Sequence, residues 1–487
     1  MTSRESLAAV LLSAPVLTAA LLALAPRRLV RGIATAGALV TGGLAVALTT
    51  IALADSDSPS VGTWLVVDAA GGLLVGVIGV VGLASVLVSP AYLETASSSL
   101  VGAERRERAY YLALYCFWAI LLAVPLAGNL GAAWLLVEAT TAASALLVGF
   151  SGRARALEAA WKYLILTSVG LGVALLGVVL FAAGVPRGGL GSLSWEALGT
   201  YASGEETALV AYLLLLAGLA AKIGWAPVHN WLPDAHSEAP PPVSALLSAA
   251  LLPAVLLVAW RCESALAPVV GEGTAASVLI AFGLVSLLFA VPFLWRPLAW
   301  KRLLAYSSLE HMGVIALGIG FATPVALAGV VIHVAAHAVA KALGFYAATP
   351  LLAHEPRAGG HEATGVGRTQ PALGAGLGIS LGALAGLPPS PLFVSEMLIV
   401  AGGFQAGRPW EAAAAAVLLA LGFLGLAHAL LETVVGKPRR REVGHLPGLR
   451  GLGALTAVSV VLLLALAGAG FWLPGTELVE TLSRGIS

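Results

Sequence analysis

Apolar segments long enough to cross a membrane recur along this chain from end to end. A helix needs about 20 mostly apolar residues to cross roughly 30 Å of hydrocarbon. Inside that layer, backbone polar groups are satisfied only within helices or closed barrels. Hydrophobic residues make up 59% of the chain, charged residues 10%, and the mean hydropathy is +0.94, whereas soluble domains are about one quarter charged. The expected fold class is therefore an all-α polytopic membrane protein of about 14 transmembrane helices. Their centres fall near Val16, Leu44, Gly76, Trp118, Leu147, Gly172, Leu216, Leu252, Leu284, Ile315, Ala335, Leu384, Leu421 and Leu462. The first segment is about as long as its successors and no polar stretch is long enough for its own core, so neither a cleavable leader nor a soluble domain is expected.

Lysine and arginine concentrate in cytoplasmic loops, and here they alternate. One set of loops holds Arg27, Arg28, Arg31, Arg105, Arg106, Arg108, Arg153, Arg155, Arg296, Lys301, Arg302, Arg357, Arg368, Lys437, Arg439, Arg440, Arg441 and Arg450. The other holds only Arg4, Arg187, Arg261, Arg408 and Arg484. An even number of spans with both termini outside the cytoplasmic membrane satisfies this split. The remaining basic residues, Lys162, Lys222 and Lys341, fall inside predicted spans.

Several functions are excluded on composition. A formal charge of +1 leaves no large basic surface for nucleic acid. Cys116 and Cys262 alone cannot ligate an iron-sulfur cluster. No glycine-rich nucleotide fingerprint follows a strand-like run, and the glycines read as small residues for close helix packing. No cofactor is expected in this chain, so any electron or nucleotide chemistry belongs to a partner.

Ionisable residues within the spans are the distinctive feature. Burying one costs about 2.5 to 3.5 kcal/mol on insertion scales, so such residues face the bundle interior, find partners and mark ion paths. Glu138 stands in "GAAWLLVEATTAASALLVGF" and Lys222 near the end of "AYLLLLAGLAAKIGW". His333, His337 and Lys341 fall at i, i+4 and i+8 in "VVIHVAAHAVAKALGF", along one side of a helix. Glu396 follows in "AGLPPSPLFVSEMLIV". A buried glutamate also serves as a structural anchor between helices, and Lys162 with Glu158 stands near a cytoplasmic end where both can snorkel. The histidine pair has metal-binding spacing, but no third ligand is evident beside it, so no metal site is expected.

Proline adds a second pattern. It removes a helical N–H and clashes with the carbonyl four residues back, so Pro227 should open the helix after Lys222, and Pro388, Pro389 and Pro391 should open another before Glu396. Non-helical backbone at membrane depth is tolerated only inside protein or along a wet cavity, and paired broken helices point to an ion site.

Four stretches in order, "KIGWAPVHNWLPDAHSEAPPPVSALL", "KRLLAYSSLEHMG", "HVAAHAVAKALGF" and "GLPPSPLFVSE", resemble the signatures of the antiporter-like membrane subunits of respiratory complex I, multisubunit cation/proton antiporters and energy-converting hydrogenases. The likeness runs from about Tyr110 to Leu431. The "SSLEHMG" variant, with Glu310 and His311, is most similar to component F of hydrogenase-4-type complexes. The resemblance implies two inverted five-helix repeats, each with a broken helix: helices 1–3 in residues 1–108, a first repeat in 109–262, a second in 275–436, and a basic loop with a final helix in 437–487.

It also implies roles. Glu138 and Lys222 match a glutamate and lysine pair, His333, His337 and Lys341 a central relay, and Glu396 the terminal acid of the second half. Lys162, His229, Asp234, His236, Glu238, Glu310 and His311 are further relay or entrance candidates, with "HNWLPDAHSEAPPP" as a polar loop at the cytoplasmic mouth. Where relatives carry a lysine in helix eight this chain has Pro253, so the path from Lys222 to the histidines must be bridged otherwise, for instance by water. The implied function is proton translocation in a redox-driven complex of the NADH:quinone oxidoreductase or hydrogenase type. Its partners would be other membrane subunits and a peripheral arm with iron-sulfur and, on the hydrogenase branch, nickel-iron centres. A sodium/proton antiporter subunit and the membrane subunit of an energy-coupled inorganic-carbon uptake system are the alternatives.

Overall fold

The computed structural model describes residues 3–54, 60–62, 64–97, 103–184, 193–199, 204–351, 364–437, 451–476 and 479–480. The protein is a multi-pass bundle. It opens with α1 (Ser3–Leu24), α2 (Val30–Ala54), a small hairpin β1 (Ser60–Val61) and β2 (Val66–Val67), and α3 (Ala69–Ser97). Next come α4 (Ala103–Ala123), α5 (Leu130–Val148), α6 (Ala154–Gly184), the short α7 (Trp195–Leu198), α8 (Glu205–Ile223) and α9 (Trp231–Glu238). A central element follows, α10 (Pro241–Leu246), a π-helical turn over Leu247–Leu251 and α11 (Leu252–Val270). The rest is α12 (Glu272–Leu294), α13 (Trp300–Phe321), α14 (Pro324–Ala347), the short α15 (Val366–Thr369), α16 (Pro371–Leu384), α17 (Pro391–Gln405), α18 (Pro409–Val434) and α19 (Leu452–Ala469).

Among the described residues, 13 helices are long and apolar enough to cross a membrane. The shorter α16 and α17 together supply one further crossing, broken in the middle. That reproduces the fourteen-helix pattern, with the break just after the expected centre at Leu384. Burial is uneven. The apolar stretches of Pro241–Val270 and Trp300–Phe321 are wholly buried, whereas α18 and α19 are mostly exposed along their lengths. α13 packs closely against α12. Small residues permit this closeness: a Cβ on Gly283 of α12 would stand 2.8 Å from the Gly313 carbonyl of α13.

Both helix breaks share a local design. α8 ends at Gly224, whose φ of +81° is a left-handed conformation that favours glycine, and a cis Ala226–Pro227 bond follows. α16 ends before Gly386, φ +71°, and a cis Pro388–Pro389 bond follows. Each glycine stops its helix before the proline is reached, so the expectation that Pro227 itself opens the first helix is displaced by three residues. Orphaned backbone groups at the first break find named partners: Trp231 Nε1 donates to the Ala221 carbonyl at 2.6 Å, and the Ala226 N–H donates to Ser286 Oγ at 3.1 Å. At the second break, Ser390 Oγ donates to the Ala383 carbonyl at 3.0 Å and accepts from the Leu392 N–H at 3.1 Å, capping α17.

The "HNWLPDAHSEAPPP" stretch is not an open loop, because Trp231–Glu238 form α9. Lys301 Nζ caps its far end by donating to the Ser237 and Ala239 carbonyls at 2.6 and 2.7 Å. Pro253 lies in the first turn of α11, directly after the π turn. The wider turn accommodates a residue that has no N–H to give.

One buried ion pair joins α11 to the residue before α3. Arg261 on α11, expected in an outer loop, is instead 1% exposed and donates to Asp68 at 2.7 Å and to the Pro125 carbonyl at 2.9 Å. Asp68 in turn accepts from the Gly71 N–H at 2.6 Å at the start of α3. Ser56, Arg187, Arg357, Arg439, Arg440, Arg441, Arg450 and Arg484 lie outside the described residues.

Candidate functional site

Glu138 and Thr141 lie one turn apart on α5, facing α6 and α8. Lys222 Nζ, fully buried near the end of α8, donates to Thr141 Oγ1 at 2.7 Å and Tyr163 OH at 2.5 Å, and sits 4.6 Å from the Tyr163 ring centroid. Ser144 Oγ gives its hydrogen to the Thr140 carbonyl at 2.5 Å, so the Tyr163 hydroxyl, 2.7 Å from it, donates to Ser144. Glu138 does not touch the ammonium. Its Oε1 accepts from Ser168 Oγ at 2.7 Å, while Oε2 is buried without a partner. The two expected partners are thus held separately, Glu138 by Ser168 and Lys222 by hydroxyls of α5 and α6.

The second half has a comparable arrangement. Lys341 on α14, fully buried, donates to the Leu304 carbonyl at 2.5 Å and to Ser307 Oγ of α13. Ser307 lies one turn before Glu310, as Thr141 lies one turn after Glu138. Glu310 is buried, with Oε2 unpartnered, one turn beyond the serine that holds Lys341. A Cβ on Gly422 of α18 would collide with that carboxylate, so glycine there makes its room.

His311, His333 and His337 form one buried cluster across α13 and α14. His311 Nδ1 is 3.0 Å from His333 Nε2, and the ring centroids of His311 and His337 are 5.3 Å apart. Both His337 nitrogens lack a partner. Glu396, half-buried on α17, brings a carboxylate oxygen within 4.8 Å of one nitrogen of His311 and one of His333. Lys341 is thus held by α13, one turn from Glu310, while Glu396 stands beside the histidines.

Three further buried polar groups are His236, Ser248 and Ser308. The fully buried His236 ring stacks on Phe345 at 5.3 Å with both nitrogens unpartnered. Ser248 in the π turn and Ser308 on α13 are hydrogen-bonded at 2.7 Å. Ser248 lies in the π turn that precedes Pro253.

The remaining candidates are peripheral. Lys162 is half exposed and pairs with Glu158 at 2.7 Å and Asp234 at 3.4 Å. Asp234 also binds Arg302 at 2.7 Å, and Glu238 binds Arg153 at 3.2 Å. His229 is buried against the Phe289 edge with Nδ1 unpartnered. Glu158, Trp161, Lys162, Asn230 and Asp234 line a shallow cavity of about 590 Å³ at this mouth.

Sequence reasoning did not single out Thr141, Tyr163, Ser168, Ser248, Ser307, Ser308 or Ser395. Helical register was the available signal for Thr141 and Ser307, each one turn from a buried glutamate.

A bundle of this architecture, carrying buried ionisable side chains beside its helix breaks, defines a class of multi-pass membrane subunits. The chain belongs to the NADH:quinone oxidoreductase/Mrp antiporter membrane family, whose sequence model matches residues 127–422. A hydrogenase-4 component F homolog from Methylacidiphilum infernorum is 35% identical over 316 residues, 64% of this chain and 66% of that protein. NADH-quinone oxidoreductase subunit N from Desulforudis audaxviator is 30% identical over 376 residues, 74% of this chain and 71% of its own. The chain spans just under two thirds of the first relative and 48% of two uncharacterized Mycobacterium tuberculosis proteins. In fold it is similar to a chain of the membrane-bound sulfane sulfur reductase, an archaeal respiratory complex, with TM-score 0.83 and 22% identity over 98% of this chain and 97% of that one.

Proposed function

We propose that this chain is a proton-translocating membrane subunit of a redox-driven complex of the hydrogenase-4 or complex I kind. One observation carries the reading: the bundle fully buries Lys222, His236, Lys341, His337, His311 and His333 and half-buries the carboxylates Glu138 and Glu396. Ionisable side chains are costly in the membrane interior, and here several lack fixed partners, which leaves them free to exchange protons through intervening water.

The electrostatics supply a drive. A buried lysine sheds its proton when no acid is near and keeps it beside a carboxylate. Charge moving at Glu138 therefore reaches Lys222, and charge at Glu310 reaches Lys341. Protons pass between the two centres by His236 and the Ser248 and Ser308 hydroxyls. Moving one charge against 100 mV costs about 2.3 kcal/mol. The chain's two cysteines cannot ligate a cluster, so a peripheral arm with iron-sulfur centres, of nickel-iron type on the hydrogenase branch, would supply the energy, and other membrane subunits would hold it. We place the chain in the cytoplasmic membrane with both termini outside, and divide it functionally at 1–108, 109–262, 275–436 and 437–487.

Two measurements test this reading. Glu396→Gln keeps shape and hydrogen bonding but removes the titratable group. The proton-to-electron ratio of the intact complex in sealed vesicles is expected to fall, and an unchanged ratio with assembly confirmed would remove Glu396 from the path. Single cysteines introduced at Arg105 and Arg439 are expected to label from the cytoplasmic side, those at Ser56 and Glu205 from the opposite side. A mixed pattern would overturn the assigned orientation.

A further inference from the structure

We infer that His311, His333 and Glu396 form a binding site for a divalent transition ion of the zinc type. The histidine pair four residues apart on α14 lacks a third ligand in sequence, but the fold supplies a different set: one histidine from α13, one from α14 and a carboxylate from α17. One donor atom from each lies within 4.8 Å of the others. Two nitrogens bound to one tetrahedral zinc at about 2.0–2.1 Å stand about 3.3 Å apart. His311 Nδ1 and His333 Nε2 are already 3.0 Å apart.

The surroundings orient the ligands. Ser395 Oγ gives its only hydrogen to the Leu392 carbonyl at 2.8 Å, so in its 2.9 Å contact with His333 Nδ1 it must accept. His333 therefore carries its proton on Nδ1 and presents the bare Nε2 lone pair toward His311 and Glu396. A hydrogen-bonded far nitrogen of this kind is the usual device that fixes a metal-binding imidazole. His311 donates from Nδ1 in the resting pair; on metal binding that proton moves to His311 Nε2, a buried atom with no partner. The mixed nitrogen and carboxylate set suits zinc rather than magnesium or calcium. Glu396 is the half-buried member and the side from which an ion would enter.

The site is tested on the full chain, purified in detergent through a tag without histidine and stripped with a chelator, by titration with Zn²⁺ against a fluorescent competitor. One bound equivalent is expected, with two imidazole nitrogens and carboxylate oxygen in its X-ray absorption spectrum. His311→Gln and Glu396→Gln should each weaken binding at least tenfold, Ser395→Ala about tenfold through the lost orienting bond, and His428→Gln on exposed α18 not at all. Folding of each variant is checked by its elution profile and thermal transition. No retained zinc at micromolar concentration, or equal affinity in well-folded His311→Gln and Glu396→Gln, would overturn the site. Because no proton flow is measured, this outcome is separate from that of the relay.

Discussion

Lys222→Ala is expected to reduce proton translocation at least tenfold while leaving the protein assembled in the membrane. The ammonium is the only cation in a cage of Thr141, Tyr163 and Ser144. Removing it leaves hydroxyls that can satisfy one another or a water, so the fold survives, but the group that takes and gives the proton is gone. Lys222→Arg separates charge from titration, because a guanidinium keeps its positive charge but cannot release a proton under these conditions. It should be as impaired as alanine. The readout is proton uptake against partner turnover in sealed vesicles; a normal ratio in the arginine variant would make Lys222 a fixed structural charge.

The largest stability effect is expected at Arg261. Asp68 and Arg261 are 4% and 1% exposed at a 2.7 Å separation, and the guanidinium also donates to Pro125 and lies 5.7 Å from the Trp195 ring centroid. Removing one partner leaves the other charge buried alone, which costs about 3–5 kcal/mol. Arg261→Met should therefore lower the thermal transition of the detergent-purified protein markedly. The double variant Asp68→Leu with Arg261→Met should recover much of the loss, since a well-packed apolar replacement is often neutral. If the two single losses simply add in the double variant, the pair is not coupled as the geometry requires.

The bundle was legible in the sequence because hydrophobic length is a strong signal and each of the main spans carries it independently. Glu138, Lys222, His333, His337, Lys341 and Glu396 were legible for the complementary reason, as ionisable residues inside apolar runs. Their pairing was not. It depends on rotations of α5, α13 and α14 that only packing decides, so Leu304 and Ser307 of α13 rather than Glu396 hold Lys341, and Ser168 rather than Lys222 holds Glu138. The hydroxyl partners were missed because serine and threonine satisfy their own helix carbonyls and read as neutral there. Arg261 was misplaced by a loop-charge argument that cannot see Asp68, far away along the chain, waiting for it.

Asp234 has a different consequence. It accepts from Lys162 of α6 on one side and from Arg302 of α13 on the other, and all three side chains are partly exposed. A single carboxylate thus acts as a clasp between the two halves at their wet edge. Each cation holds its own oxygen of the carboxylate, Lys162 on Oδ2 and Arg302 on Oδ1, and the grip as a whole weakens with dissolved salt. The halves are joined firmly by oil at their centre and adjustably by brine at their rim.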